Sequence, residues 1–202
     1  MRSFLYAAVT VAGYLLGALP VGYLVGKLWG VDVRKYGSGR TGGTNVMRAA
    51  GSWAAALTVA GDGLKGLLAV GIAALLVGTP AAKVLAGLAA VVGHNWSVFL
   101  GWRGGAGAVT NMGVIFGLYQ PVVIGMTVVG LIALFASRMA SVATLAIAGF
   151  AFLSFVGLAI WGNVSWVYAL YGLFATALIA VALLPNIRRI LSGTERRLKL
   201  DV

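Results

Sequence analysis

Long apolar runs alternate with short polar or glycine-rich interruptions along this chain. Predominantly apolar stretches occupy residues 4–27, 53–78, 82–100, 142–161 and 167–184. As helices, each is long enough to cross the roughly 30 Å of hydrocarbon in a bilayer. A sixth run, 108–136, is interrupted by Tyr119-Gln120-Pro121. It reads either as one long helix or as two short ones, 108–119 and 121–136, meeting at the proline.

Charge chooses between these. Lys27, Arg34, Lys35, Arg40 and Arg48 follow the first run, and loops on the cytoplasmic side collect Lys and Arg. The first loop is therefore inside and the N-terminus outside, and Arg103 returns inside after the third run. A single crossing over 108–136 would strand Arg138, Arg188, Arg189, Arg196, Arg197 and Lys199 outside. A hairpin of two short helices returns all of them inside and leaves only Arg2 and Lys83 out. The pattern thus predicts an all-α integral membrane protein. It is a seven-helix transmembrane bundle in a single domain spanning 1–202, with two short helices after the second glycine-rich loop and a basic cytosolic tail at 186–202. Short helices need protein or water around their ends, so they are expected inside the bundle, lining a cavity.

Composition supports the membrane assignment. The chain is 61% hydrophobic and 9% charged, with a mean hydropathy of +1.00, where a soluble domain carries about a quarter charged residues. The net charge of +11 is accounted for by topology, so no nucleic-acid partner is expected. There are no cysteines, one histidine and four acidic residues. That excludes thiolate chemistry and argues against a metal centre or other resident cofactor. The first apolar run is too long for the core of a cleavable signal.

Two glycine-rich segments stand out from the apolar background: Gly37-Ser38-Gly39-Arg40-Thr41-Gly42-Gly43-Thr44-Asn45-Val46-Met47-Arg48 and Gly101-Trp102-Arg103-Gly104-Gly105-Ala106-Gly107. Bare backbone N–H groups beside fixed cations cradle phosphate oxygens, and guanidinium matches an oxyanion fork. Ser38, Thr44 and Asn45 add side-chain hydrogen bonds for phosphate or glycerol hydroxyls, and Arg48 adds charge; the same residues also suit an ordinary turn under the positive-inside rule. A helix beginning just after Gly107 would aim its dipole at the second segment. Asp62 and Lys65 lie three apart inside an apolar run, on one helical face. Ionisable groups at such depth face the protein interior and pair. Lys65 is then a phosphate contact oriented by Asp62, or half of a structural salt bridge. His94 is the one side chain suited to general-base work near neutral pH, or a hydrogen-bonded packing residue. Position 99 is Phe, so His94 does not begin a His-x-x-x-x-Asp acyltransferase signature. Neither a Gly-x-Ser-x-Gly elbow nor a Gly-Lys-Ser/Thr loop ending is present.

Taken in order, these segments resemble the bacterial acyl-phosphate:glycerol-3-phosphate acyltransferases, the PlsY family. Gly37-Ser38-Gly39 with Gly42, Thr44, Asn45 and Arg48 resembles G-S-G-N-x-G-A-T-N-x-x-R; Asp62-Gly63-Leu64-Lys65-Gly66 resembles D-x-x-K-G. Gly93-His94 with Val98-Phe99-Leu100, Arg103-Gly104-Gly105, Gly107 and Thr110 resembles G-H-x-F-P-V-F-L-x-F-K-G-G-K-G-V-A-T. Asn186-Ile187-x-Arg189-Ile190-x-x-Gly193-Thr194-Glu195 resembles the ending N-I-x-R-L-x-x-G-T-E. The chain departs from the pattern at Arg40, Gly43, Ser97 and Ala106. It departs again at Leu183 and Leu184, where the family carries His-Arg, and Pro185 follows. The resemblance implies seven helices and a cytosolic active site in the bacterial inner membrane. It also implies transfer of a fatty acyl group from acyl phosphate to the 1-hydroxyl of glycerol 3-phosphate, giving lysophosphatidic acid without a cofactor. Catalytic roles then fall to Ser38, Lys65, His94 and Asn186. Phosphate binding falls to Gly39, Arg40, Thr44, Asn45, Arg48, Arg103, Gly104, Gly105 and Gly107. Two other readings fit the same residues: a non-catalytic paralogue that binds acyl phosphate or a phospholipid, and a small anion transporter. Oligomeric state is left open by the sequence.

Overall fold

The computed structural model describes residues 2–198; Lys199 of the expected basic tail lies outside them. The described residues are helical, without strands. The α-helices are α1 (Arg2–Ala18), α2 (Val21–Leu28), α3 (Gly43–Leu76), α4 (Pro80–Asn95), α5 (Ala108–Tyr119), α6 (Pro121–Ser137), α7 (Ala140–Ile160), α8 (Trp166–Ala182) and α9 (Leu184–Leu191). Four helical segments are long and apolar enough to cross a membrane by length and composition, namely Arg2–Leu28, Gly43–Leu76, Pro80–Leu100 and Ala140–Ile160. The pair α8 and α9, bent by 68°, makes a fifth if counted together. The short pair α5 and α6 matches the expected break at Pro121.

Three expected boundaries change. The run 4–27 is two helices, because Pro20 has no N–H to continue the ladder; the chain breaks after Ala18 and restarts at Val21. The second apolar run begins upstream at Gly43, so Thr44, Asn45 and Arg48 lie on helical turns rather than in a loop. That helix bends at Gly51 (φ 86°), a left-handed backbone that favours glycine. The eighth helix ends at Ala182 rather than at 184, and α9 (Leu184–Leu191) takes up the first part of the expected basic tail.

The chain divides into two compact units, one ending at Leu118 and one beginning at Tyr119. In the first unit, α1 and α4 meet through small residues. A Cβ on Gly13 would strike the backbone of Ala86, one on Gly17 that of Ala90, and one on Gly93 that of Tyr14. Without a hydrophobic drive between helices in lipid, such close backbone approach supplies the packing. Val25, Val33, Val46 and Ala54 form a separate buried cluster, which folds the first glycine-rich loop onto α2 and α3. The second unit centres on α7 and α8, where Phe155 meets Tyr168 and Tyr171 edge to face at 5.7 and 6.5 Å between ring centroids.

Candidate functional site

The chemistry-bearing residues of the first unit converge on the middle of α3 and the C-terminal end of α4. Asp62 and Lys65, one turn apart on α3, are both buried, and Lys65 Nζ lies 2.8 Å from Asp62 Oδ1. The Lys65 ammonium also donates to the Leu19 carbonyl at 3.0 Å. That acceptor exists because Pro20 interrupts the first helix, so the break expected as one continuous span supplies a partner for a buried cation. His94, at the end of α4, points Nδ1 at the same Asp62 Oδ1 from 3.5 Å.

The other imidazole nitrogen faces the second glycine-rich segment. A Cβ at Gly105 would collide with His94 Nε2, and one at Gly104 with the His94 carbonyl. The Gly105 N–H donates to the His94 carbonyl at 3.0 Å. Glycine is required there because the loop backbone lies against the ring. Gly107 (φ 83°) then turns the chain into α5, its carbonyl accepting from the Asn111 N–H at 2.8 Å. The free N–H groups of the first turn of α5 therefore open toward the segment, as the sequence predicts.

The first glycine-rich loop is tied down by Asn45. Its Oδ1 accepts from the Ser38 N–H at 3.0 Å, and its Nδ2 donates to the Val33 and Arg40 carbonyls, each at 2.8 Å. The buried Asn45 thus shapes the loop that carries Ser38, Gly39 and Arg40. Ser38 Oγ accepts from the Arg40 N–H at 3.4 Å. One guanidinium nitrogen of Arg40, Nη1, is buried. Arg48 runs its stem over Gly37, whose left-handed backbone (φ 49°) leaves room for it. Thr44 is half-buried and Arg103 exposed. At the outer edge of the loop, the Arg34 guanidinium bonds the Asp32 carboxylate, holding that carboxyl well below the usual range, and stacks 4.6 Å above the Tyr23 ring.

The sequence reading missed several anchors. Tyr14 Oη donates to the Trp96 carbonyl at 3.0 Å, and Ser97 Oγ to the Ala18 carbonyl at 2.6 Å. Both pin the second loop to α1, and Ser97 was visible only as a departure from a proline. Asn95, buried beside His94, has neither amide atom hydrogen-bonded among the described residues, and Thr110 Oγ1 is in the same condition. No group of three or more potential metal ligands occurs among the described residues.

Asn186 belongs to the second unit. Its Nδ2 donates to Glu195 Oε1 at 2.7 Å, leaving Oδ1 buried and without a partner among the described residues. Glu195 also accepts from Ser141 Oγ at 2.9 Å and Arg189 Nε at 2.8 Å. Burial pushes the Glu195 carboxyl up, but the hydrogen bonds from Asn186, Arg189 and Ser141 outweigh it and leave the group below its ordinary value. Glu195 stood in the sequence motif without a role assigned to it; its partners come from two helices far apart along the chain.

Comparison with known proteins gives a consistent answer. The family model described as glycerol-3-phosphate acyltransferase matches residues 7–193. A glycerol-3-phosphate acyltransferase of Rubrobacter xylanophilus is 43% identical over 192 residues, covering 94% of this chain and 93% of that protein. One of Symbiobacterium thermophilum is 41% identical over 199 residues, covering 95% and 94%. The crystal structure of PlsY (YgiH), an integral membrane glycerol 3-phosphate acyltransferase, in its glycerol 3-phosphate form, superposes with a TM-score of 0.87 at 33% identity, covering 96% of each chain. Its lysophosphatidic acid form superposes with a TM-score of 0.86 at 32% identity, covering 96% of this chain and 95% of that one.

Proposed function

From the premise that this chain belongs to the glycerol-3-phosphate acyltransferase family, we propose that it transfers a fatty acyl group from acyl phosphate to the 1-hydroxyl of glycerol 3-phosphate, making lysophosphatidic acid. The protein is an acyltransferase of phospholipid synthesis embedded in a membrane. Its placement is the cytoplasmic membrane, with seven crossings that include α5 and α6, the N-terminus outside, and the site cytosolic.

One observation carries this reading: His94 is held between the Asp62 carboxylate on Nδ1 and the Gly105 backbone beside Nε2. The carboxylate fixes the ring, and Nε2 is the nitrogen turned toward a glycine-rich loop. Acyl phosphate is a mixed anhydride whose leaving group departs without a covalent enzyme intermediate. The protein's task is to align a hydroxyl with a carbonyl and to hold charge. The glycerol hydroxyl oxygen forms the new ester bond to the acyl carbon, and the bond from that carbon to the phosphate oxygen breaks. The hydroxyl proton passes to His94 Nε2 and then to the departing phosphate. Gly104, Gly107 and the first turn of α5 offer N–H groups to phosphate oxygens, while the Gly105 N–H is held by the His94 carbonyl. Arg40, Arg48, Arg103 and Lys65 supply the cations, with Asp62 orienting Lys65. Ser38, Gly39 and Thr44 offer donors along the first loop, whose shape Asn45 keeps. For Asn186, whose Oδ1 has no partner among the described residues, the family motif is the support for a contact to a substrate hydroxyl.

The test is turnover of purified, lipid-reconstituted protein with palmitoyl phosphate and glycerol 3-phosphate, following phosphate release and lysophosphatidic acid together, with palmitoyl-CoA as the control donor. Product that needs both acyl phosphate and acceptor is the expected result. A folded protein that binds substrate without turnover returns the non-catalytic reading.

A further inference from the structure

The end of the second unit carries a cationic surface on the outward side of α9. That helix turns 68° from α8, because α8 closes at Leu183 and Pro185 opens a new ladder. One side of α9 faces inward: Asn186 is buried and bonded to Glu195, and Arg189 bonds the same carboxylate. Leu184, Arg188 and Leu191 follow one another at i, i+4 and i+7, which is a single stripe on the other side. All three are exposed, Leu191 to 83%. The chain then reverses at Gly193 (φ 70°) and is fastened at three points. The Thr194 N–H donates to the Arg189 carbonyl at 2.8 Å, Glu195 accepts from Ser141 Oγ, and the Leu198 N–H donates to the Arg138 carbonyl at 2.7 Å. Arg196 and Arg197, both exposed, lie between the last two anchors.

These guanidinium groups are uncompensated. The described part of this unit has five arginines and one carboxylate, Glu195, and that carboxylate is paired with Arg189. Arg188, Arg196 and Arg197 form no ion pair among the described residues. The helix dipole accounts for basic side chains in the last turn of α9, but not for Arg196 and Arg197 beyond it. The preference for arginine in cytoplasmic loops does not require the segment that bears it to be fastened down. A short helix that bends away from its neighbour, with leucines and an arginine on its outward stripe, matches a bilayer interface. There leucines enter the acyl boundary and guanidinium groups bond phosphate oxygens. We propose that α9 and the segment 193–198 form a binding surface for the headgroups of anionic phospholipids, with Arg188, Arg196 and Arg197 on the phosphates and Leu184 and Leu191 in the acyl boundary. The occupant is a lipid surface rather than free phosphate, because two exposed leucines share the stripe with Arg188 and inorganic phosphate offers them nothing. The proposal requires only that the chain is embedded in a membrane, so it stands or falls apart from the acyl-transfer reading.

The chain has no cysteine, so Leu191→Cys takes a single environment-sensitive fluorophore on the outward stripe of α9. The labelled protein is titrated in detergent micelles with dioleoyl phosphatidylglycerol or dioleoyl phosphatidylcholine. Half-saturation of the emission blue shift is expected at about tenfold less phosphatidylglycerol than phosphatidylcholine. Raising NaCl to about 0.5 M should remove that preference, because exposed charges are then screened. Combining Arg188→Gln, Arg196→Gln and Arg197→Gln should bring the two lipids to within about twofold of each other, with Tm unchanged because none of the three holds an ion pair. Equal half-saturation by the two lipids in the parent, or an undiminished preference in the triple variant, overturns the proposal. So does displacement of phosphatidylglycerol by inorganic phosphate at matched concentration, which would assign the arginines to free phosphate. If the triple variant fails to fold, the salt response of the parent decides, since a preference indifferent to salt does not come from these charges.

Discussion

Asp62 neutralises Lys65 on one side and faces His94 on the other, so its charge is shared by two buried partners. Removing one member of a buried pair costs more than the pair contributes, because a charge is left without compensation. Lys65→Ala is expected to abolish turnover and to lower stability by about 3–5 kcal/mol, measured by thermal unfolding in detergent and by lysophosphatidic acid formation. Turnover retained in a well-folded Lys65→Ala protein would place the lysine outside the site. The sequence shows that Asp62 and Lys65 share a helical face and belong to the interior. It does not show that Lys65 also needs the Leu19 carbonyl, because that partner lies 46 positions away and is exposed only by the break at Pro20.

At the scale of elements, α1 and α4 depend on the absence of side chains where their backbones touch. Gly17→Leu would drive a side chain into the Ala90 backbone and should cost about 2–3 kcal/mol through forced displacement of the helices, seen as a lowered Tm. The site would suffer with it, since the same pair of helices carries the Tyr14–Trp96 and Ala18–Ser97 tethers of the second loop. In the second unit, Glu195 links α7, through Ser141, to α9, through Asn186 and Arg189. The folded protein holds that carboxyl below its ordinary value of 4.5. Its contribution is therefore complete above the unfolded value and is lost as the pH falls through the folded one. The protection factor of the Leu198 N–H, which donates to the Arg138 carbonyl at 2.7 Å, should fall, after correction for the intrinsic pH dependence of amide exchange, as the pH drops below the ordinary carboxylate range. Glu195→Gln should show the lower protection factor already at neutral pH and lose its acid dependence.

For the whole molecule, the prediction concerns sidedness. The chain has no cysteine, so single cysteines at exposed Ser3, Ala136 and Ser192 report topology without background. With an impermeant maleimide on intact cells, Ser3→Cys is expected to label at once, and Ala136→Cys and Ser192→Cys only after the membrane is opened. Labelling of Ala136→Cys from outside would mean that α5 and α6 make a single crossing, and the seven-helix count would fall with it.

The sequence by itself determined the membrane class, the break at Pro121, the start of α5 after Gly107 and the pairing of Asp62 with Lys65. Each depends on local hydropathy, on the missing N–H of proline, or on neighbours one helical turn apart. The four ordered motifs carried the family as well. Tertiary structure alone decided that Asp62 joins Lys65 to His94, that Gly105 is glycine because an imidazole lies against it, and that Asn45 spends its amide on the first loop. It also decided that the first apolar run divides at Pro20 so that a carbonyl meets Lys65. Those facts depend on which backbones come within hydrogen-bonding reach when helices pack through small residues, and neither spacing nor composition encodes that distance.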